Sequence, residues 1–381
     1  MHTCQRTFVC NNDVYRYQPT PNNMRKLLVL FCAALLSISA FAQGDGAKPD
    51  YGYKLTGFAS TPKFGAFIIG SYKYSSQEGA NGGPGFGLRL IRAYVDGTIL
   101  NDFNYRIQFE LNGTPHVKDF YLEWAKYKEF SIKAGEFKRA FTFENPYNPW
   151  DVGVGDYSQA VKKLSGMGDR CGEASMGGRD LGLQFQGDLF PVGNDQHRLI
   201  HYQLGIYNGN GINRADNNAR KDLIGTIQIQ PIKDLYIGVF GWDGNWSDGK
   251  VTVDRKRYAV GAKYEHNNWT ARSEYVHSNG YKASSLDPVT GQLIPGSADT
   301  GVADAFYATV GIPFADWFKV YLKYDMYRDN ATADSQSTIY SFAPQIRLHK
   351  NLMFQLEYRY NDNRLTGQKF NELWFQYYVR F

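Results

Sequence analysis

The residues best equipped for chemistry in this chain are charged side chains that alternate with apolar ones. In NYRIQFEL (104–111), Asn104, Arg106, Gln108 and Glu110 share one face, and Tyr105, Ile107, Phe109 and Leu111 share the other. Followed along the chain, the charged face carries Arg92, Arg106, Lys133, Arg139, Arg257, Lys263, Arg272, Lys319, Lys323, Arg347, Arg359 and Arg380. Asp96, Glu110, Asp119, Glu123, Glu265, Glu274, Asp325 and Glu357 fall on the same faces. Rings of cations favour anions, and rings of acids favour cations. With both present and bases in modest excess, a weak anion preference is expected at most, because opposite charges on adjacent strands neutralise each other.

Other chemistry is poorly supported. A hydrolase needs a nucleophile, a base and an orienting group converging at one place. His201 is expected to face inward and Ser273 outward, and no Ser/His/Asp spacing repeats a known arrangement. His116, His197, His266, His277 and His349 fall mostly in turns or at strand ends, where a solvated histidine is the ordinary explanation. DGNWSDG (243–249) has a spacing that could hold Ca2+, but an Asx-rich turn accounts for it. NGNG (208–211) precedes no helical pattern and so does not read as a phosphate-cradling loop. No enzymatic activity, metal or cofactor is expected, and no nucleic-acid motif is present.

Positioning such faces requires strands. In RYAVGAKYE (257–265), Tyr258, Val260, Ala262 and Tyr264 oppose Arg257, Lys263 and Glu265. FKVYLKYDM (318–326) and LMFQLEYRY (352–360) repeat the pattern. About sixteen such segments run from Phe64 to Phe381, each near the ~9–11 residues that a tilted spanning strand needs. No 3.6-residue period interrupts them. Tight turns are expected at Asn101 and Asp102 and at 126–129, 191–196, 231–234, 266–268, 313–316 and 349–351. Between them lie longer Gly/Asn/Asp/Ser-rich stretches at 77–87, 112–116, 142–179, 209–221, 243–254, 279–303, 329–337 and 361–371. This alternation is that of an outer-membrane barrel with short periplasmic turns and long outer loops.

A sheet in hydrocarbon cannot leave an edge unpaired, so the strands must close into a ring. The expected fold is therefore all-β, a transmembrane antiparallel β-barrel of about 16 strands. The even count puts both chain ends on the periplasmic side. The segment 338–348 is the weakest strand, because Pro344 suggests a bulge or a displaced boundary. Trp124, Trp269 and Trp317 lie beside short turns, where an aromatic girdle sits at the headgroups. Trp150, Trp242 and Trp246 fall in or beside the expected outer loops.

The longest connection, 142–179, falls between strands 5 and 6 and is too long to be structureless without a job. Folding inward would narrow a barrel otherwise wide enough to pass solutes indiscriminately. It carries Lys162, Lys163 and Arg170 beside Asp151, Asp156 and Asp169, as constriction candidates. A mobile outer loop with solvated charges is the alternative.

The chain start holds MRKLLVLFCAALLSISAFAQG from Met24: two bases, an apolar run, then Ala40, Phe41 and Ala42. That is the layout of a secretory signal peptide, expected at 24–42. Cys32 lies inside the apolar run, which argues against a lipoprotein site. Residues 1–23 are expected to be untranslated upstream sequence, 43–62 a periplasmic lead-in, and 63–381 the barrel. Without 1–42, the balance of 42 bases to 37 acids becomes 38 to 36, since Arg6, Arg16, Arg25, Lys26 and Asp13 drop out. A charge of about +2 gives little support to a nucleic-acid partner. Cys171 is then the remaining cysteine, so no intrachain disulfide is expected.

The segments LRLIRAYVDGTILNDFNYRIQFELN (88–112) and VKDFYLEWAKYKEFSIKAGEFKRAFTFEN (117–145) resemble the N-terminal half of the phosphate-selective porin family of Gram-negative outer membranes. GRDLGLQFQG (178–187) and YNGNGINRADNNARKDLIGTIQIQP (207–231) are similar to its next shared blocks. The resemblance implies a sixteen-stranded barrel, commonly a homotrimer, with an inward-folded third loop. The dense arginine and lysine ladder of the family's best-known members is not matched here residue for residue.

The expected role is an outer-membrane porin passing small hydrophilic solutes or small anions, phosphate among them, through a water-filled lumen. Its expected partners are outer-membrane lipid, the barrel-assembly machinery and further copies of itself. A structural or adhesive barrel with little conductance is the alternative, and a secreted soluble β-sandwich or lectin a more distant one. The closing NELWFQYYVRF (371–381) reads as the last strand, with Leu373, Phe375, Tyr377, Val379 and Phe381 outward and Gln376, Tyr378 and Arg380 inward. Phe375, Tyr377, Val379 and Phe381 look like an assembly signal, on a strand expected to pair with the first near 64–74.

Overall fold

A computed structural model describes residues 60, 62–77, 84–173, 177–331 and 334–381. The upstream segment, the expected signal peptide and nearly all of the lead-in lie outside the described residues. Sixteen strands follow one another along the chain. They are β1 Lys63–Ser75, β2 Gly85–Ile99, β3 Phe103–Glu110, β4 His116–Trp124, β5 Ser131–Lys138, β6 Arg179–Val192, β7 His197–Tyr207 and β8 Asp222–Ile232. The ring continues through β9 Leu235–Ser247, β10 Thr252–His266, β11 Trp269–Asn279, β12 Val302–Ala315, β13 Phe318–Arg328, β14 Gln336–His349, β15 Leu352–Asn363 and β16 Gln368–Arg380. Each strand is antiparallel to its sequence neighbours, and β1 pairs β16 to close the barrel.

The seam has a defined register, from Phe67 opposite Arg380 to Ser75 opposite Glu372. Phe381 extends it: its N–H donates to the Ala66 carbonyl at 2.8 Å, and its carbonyl accepts from Ala66 N–H at 3.4 Å. Tyr377 lies over Gly70, where an added Cβ would stand 2.0 Å from the ring. An aromatic covering a glycine in this way pins the register of the pair.

The short turns fall where expected. Asn267 (φ 47°) and Asn268 (φ 65°) are both left-handed, the geometry of a two-residue turn whose twist matches the flanking strands. Pro344 sits within β14, opposite Val320. Toward β15 the pairing passes from Phe342–Tyr358 to Gln345–Gln355 without a change of register. The missing proline donor thus costs a local gap and not a displaced strand. The bulge lies at the strand's end, between Arg347 and His349.

Alternation sorts the wall as the pattern requires. Ile227, Val239, Val260, Leu322 and Leu356 are exposed on the outer face, while Arg257, Lys323 and Glu357 are buried inside. On β16, Leu373 and Phe375 are exposed outward and Gln376 and Tyr378 are buried inward. Trp269 and Trp317 stand exposed beside short turns, and Trp124 packs edge-on to Tyr127 and Phe130. Near the long-loop end, Phe306, Tyr324, Tyr340 and Tyr360 form a ring-to-ring row across β12 to β15, with centroids 5.4–6.2 Å apart. Two such belts suit the two faces of a membrane.

Two tryptophans depart from expectation. β9 continues to Ser247 and β10 begins at Thr252, so the expected 243–254 loop shrinks to 248–251. Trp242 and Trp246 are therefore buried on a strand and not in an outer loop, and Trp150 is buried as well. Within DGNWSDG, Asp248 accepts the backbone N–H groups of Lys250 and Val251 at 2.8 Å, an Asx turn.

Removing Phe381 takes two hydrogen bonds from the seam, each worth about 1 kcal/mol net. Deletion is expected to lower the folded, unheated gel species at least several-fold while total polypeptide stays constant. Undiminished folded barrel would count against this role.

Candidate functional site

The connection between β5 and β6, residues 139–178, folds into the barrel. It is bounded slightly earlier than the expected 142–179. Carboxylates hold it by its own backbone: Glu274 accepts Phe143 N–H at 2.6 Å, Glu357 accepts Gly155 N–H at 2.6 Å, and Asp325 accepts Gln159 N–H at 3.0 Å. These come from β11, β15 and β13, so the loop lies against the β8–β16 side of the lumen. Within the loop, Glu144 accepts Ser158 N–H at 2.7 Å and pairs with Lys323 at 3.1 Å.

Apolar contacts complete the docking. A short helix, α1 Gln159–Leu164, is capped by Ser158, whose hydroxyl accepts Val161 N–H. Its Ala160 and Leu164 pack on Ala259, Val276, Ala303 and Ala305 of β10 to β12. Those small side chains on the inner face leave room for a helix. Phe143 lies over Gly238, where a Cβ would stand 2.7 Å from its ring. Trp150 enters a second cluster with Phe67, Ile69, Met353 and Tyr378. Burying Phe141 or Phe143 contributes roughly 1.5–3 kcal/mol each, so apolar area holds the loop alongside charge.

The loop's return is locked by ions. Glu173 bridges Arg139, at 3.0 Å, and Arg255. Arg139 also pairs with Asp180 at 2.7 Å, and Arg255 with Asp222 at 2.6 Å. Arg257 grips Asp169 through two bonds of 2.5 and 2.6 Å. The three guanidiniums lie 4.8–5.0 Å from the Trp242 ring. Burial raises the Asp169 carboxyl, but Arg257 outweighs it and holds the group below the ordinary range. Arg170 pins the loop to the outer loops through Asp299 at 2.9 Å and Asp329 at 3.5 Å. Burial pushes the Cys171 thiol well up, so it is not a thiolate.

On the opposite side the loop leaves a cavity of about 210 Å3 between itself and β2 to β7. Arg92, Arg106, Lys133, Lys138, Arg139 and Arg179 line it with Asp119, Tyr121, Phe137, Gln108, Gln184 and Gln203. Most of its charges are paired: Arg92 with Glu110 at 2.8 Å, Arg106 with Asp96 at 2.7 Å, and Arg179 with Asp119 at 2.8 Å. Lys118 reaches Glu110 at 3.3 Å, and Lys133 stands 3.5 Å from Glu123. Lys138 contacts no carboxylate among the described residues; it donates to the carbonyls of Asn145 and Tyr147 and to the Tyr157 hydroxyl. Among the described residues of this wall, six cations (Arg92, Arg106, Lys118, Lys133, Lys138, Arg179) thus stand with four acids (Asp96, Glu110, Asp119, Glu123).

Most residues singled out by alternation fall into two sets; of the others, Arg347 and Arg380 line a separate cavity beside Trp150 and Trp317, and Arg359 lies between Glu357 and Glu372. Arg92, Arg106 and Lys133 line the open cavity, with Arg139 at its edge on the loop and not on a strand. Lys263 lies over Phe143, Tyr147 and Tyr236, Arg272 over Tyr147, and Lys319 bonds Thr270. With Arg257 and Lys323, these hold or underlie the loop. Lys162 pairs with Asp156 at 2.7 Å, and Lys163 is exposed on α1, a helix the sequence pattern did not anticipate. Alternation missed Lys118, Lys138, Arg179, Glu173 and Arg255. Arg255 continues the inner face of β10 by one more step, a signal hidden by placing residues up to 254 in a loop.

Replacing Glu173 by Gln strips two buried guanidiniums of a shared partner. Breaking buried pairs costs about 3–5 kcal/mol, so E173Q is expected to lower the temperature of barrel unfolding and speed tryptic cleavage after Lys162 or Lys163. Unchanged cleavage would refute the anchoring role. Burial raises the Asp156 carboxyl, but Lys162 and Arg89 outweigh it and hold it below its ordinary 3.8. A depressed folded-state value stabilises above the unfolded one and is lost as pH falls through it. The stability difference between wild type and D156N should therefore stay constant down to about pH 4 and shrink only below; a loss already between pH 7 and 5 would contradict this.

No family model and no curated protein matches the sequence. Solved structures do. The chain is similar to an anion-selective porin from Comamonas acidovorans (TM-score 0.64, 13% identity, covering 85% of this chain and 100% of that one). It is similar to the outer membrane channel DcaP of Acinetobacter baumannii (0.59, 13%, 89% and 100%) and to Salmonella typhi OmpF in complex with daunomycin (0.59, 11%, 84% and 97%). At such identities the likeness establishes the fold, a sixteen-stranded porin-type barrel.

Proposed function

We propose that this protein is an outer-membrane porin that passes small hydrophilic solutes by diffusion, with a weak preference for anions. The observation that carries this reading is the loop held against β8–β16, with a cation-lined cavity left between it and β2 to β7. The printed names of similar structures, an anion-selective porin and an outer membrane channel, support it. The reading includes export through a cleaved signal peptide at 24–42, insertion by the barrel-assembly machinery reading the outward residues of β16, and assembly as a homotrimer. A structure of Vibrio cholerae OmpT in a trimer form has a similar fold. No reaction is assigned: the charged groups hold the loop and bias the passing ions.

The test is the reversal potential of unheated, detergent-purified protein in a planar bilayer under a KCl gradient. A small potential of anion-selective sign is expected. Lys133→Glu turns six cations against four acids into five against five, so K133E should abolish or reverse that sign. Clear cation preference in the wild type would overturn the anion reading. A folded barrel without conductance would instead favour a structural or adhesive role.

A further inference from the structure

A second cavity, of about 400 Å3, lies at the short-turn end of the barrel and shares no residue with the one along β2 to β7. Its size falls in the range of small-molecule clefts, ~300–1,000 Å3. The inward loop supplies Trp150 and Asp151, and the β12–β13 turn supplies Asp316 and Trp317. Arg347 comes from the end of β14, Lys350 from the turn after it, and Arg380 from the end of β16. Trp150 is buried against Phe67, Met353 and Tyr378, which fixes it in place. The Arg380 guanidinium lies 4.4 Å from its ring, and an arginine stacked in this way keeps its N–H edge open to a carboxylate. None of the five charged groups (Asp151, Asp316, Arg347, Lys350, Arg380) makes an ion pair or a side-chain hydrogen bond among the described residues.

In the other cavity acids and bases are mostly in contact, as Arg92 with Glu110 and Arg179 with Asp119 are, each at 2.8 Å. Here two acids and three bases line one space without touching. Opposite charges in contact neutralise each other, whereas charges held apart offer both signs to a ligand. A molecule carrying both signs can bridge groups that do not reach each other, while one of a single sign is repelled by part of the wall. The balance of three bases to two acids favours a ligand with one net negative charge. We infer that this cavity binds small zwitterions that carry a second carboxylate, the chemistry of acidic amino acids and short acidic peptides. The carboxylates meet Arg347 and Arg380, the ammonium meets Asp151 or Asp316, and the carbon chain lies against the exposed Trp317 ring. On the channel reading, on which only its sidedness rests, the short turns face the periplasm. The cavity then stands at the inner mouth and holds a solute as it leaves the lumen.

The probes are L-glutamate, glutarate, which lacks its ammonium, and 4-aminobutyrate, which lacks its α-carboxylate. Each is titrated against the folded, full-length protein in detergent and followed by ligand-observed NMR. Glutamate is expected to bind about tenfold more tightly than either, the worth of one charge-assisted hydrogen bond. Glutarate or 4-aminobutyrate binding as tightly as glutamate overturns the inference, and so does absence of binding by all three. Either result leaves the channel reading intact, because that reading stands or falls on bilayer conductance of the same preparation. Asp151 and Asp316 are exposed and unpaired, so replacing both by Asn should leave the fold unchanged. In the D151N/D316N variant, glutamate should weaken about tenfold, to the level of glutarate, while glutarate binds no more weakly than before. An equal loss for all three ligands, the mark of a merely structural role for the two acids, would also overturn the proposal.

Discussion

A backbone crossing hydrocarbon must satisfy every N–H and C=O within itself, and the rest of this structure depends on that constraint. It requires β1 to meet β16, and the pairing from Phe67–Arg380 to Ser75–Glu372 meets that demand. Closure then makes an inside and an outside of every strand, so one face must be apolar and the other can be charged. Arg257, Lys323, Glu274 and Glu357 are affordable only because they turn away from lipid. The same closure creates a lumen, and a lumen gives the 139–178 loop somewhere to go.

Inside, the structure behaves less like an open tube than like a half-filled one. The loop meets the wall through a true apolar core, with Phe141, Phe143 and Leu164 against Ala259, Val276 and Ala305. Ion pairs then specify its path. Taking these ions from water is costly, so their net contribution to stability is small, whereas an unpaired member would be severely penalised. Such pairs act as registry marks: Glu173 fits only where it reaches both Arg139 and Arg255. Much of the charge on the β8–β16 side thus serves architecture, and a modest excess of bases lies on β2 to β6.

Much of the fold was legible in the alternation of single segments. FKVYLKYDM declares its faces without reference to any partner, and the two asparagines at 267 and 268 declare their turn. Pro344 misled only slightly, because one absent donor leaves a gap without shifting the register of β14 on β15. The helix at Gln159–Leu164 was not legible, since six residues are too few to display a period. Trp242 and Trp246 were misplaced because Asp, Gly and Asn in DGNWSDG look like a loop, although β9 runs through most of them.

The sequence by itself determined which side chains face lipid, which face the lumen, how many strands there are and that one long loop needs a place. These are local properties, set by a period of two and by turn chemistry. Only the tertiary structure decided which lumen charges remain available. Lys323 finds Glu144 across 179 residues and Arg257 finds Asp169 across 88, pairings that depend on the barrel's curvature and the loop's path. A charge's effect on a passing solute depends on its neighbours in space. Arg257 and Lys133 look alike in the pattern, yet the first is consumed by the loop and the second faces the passage.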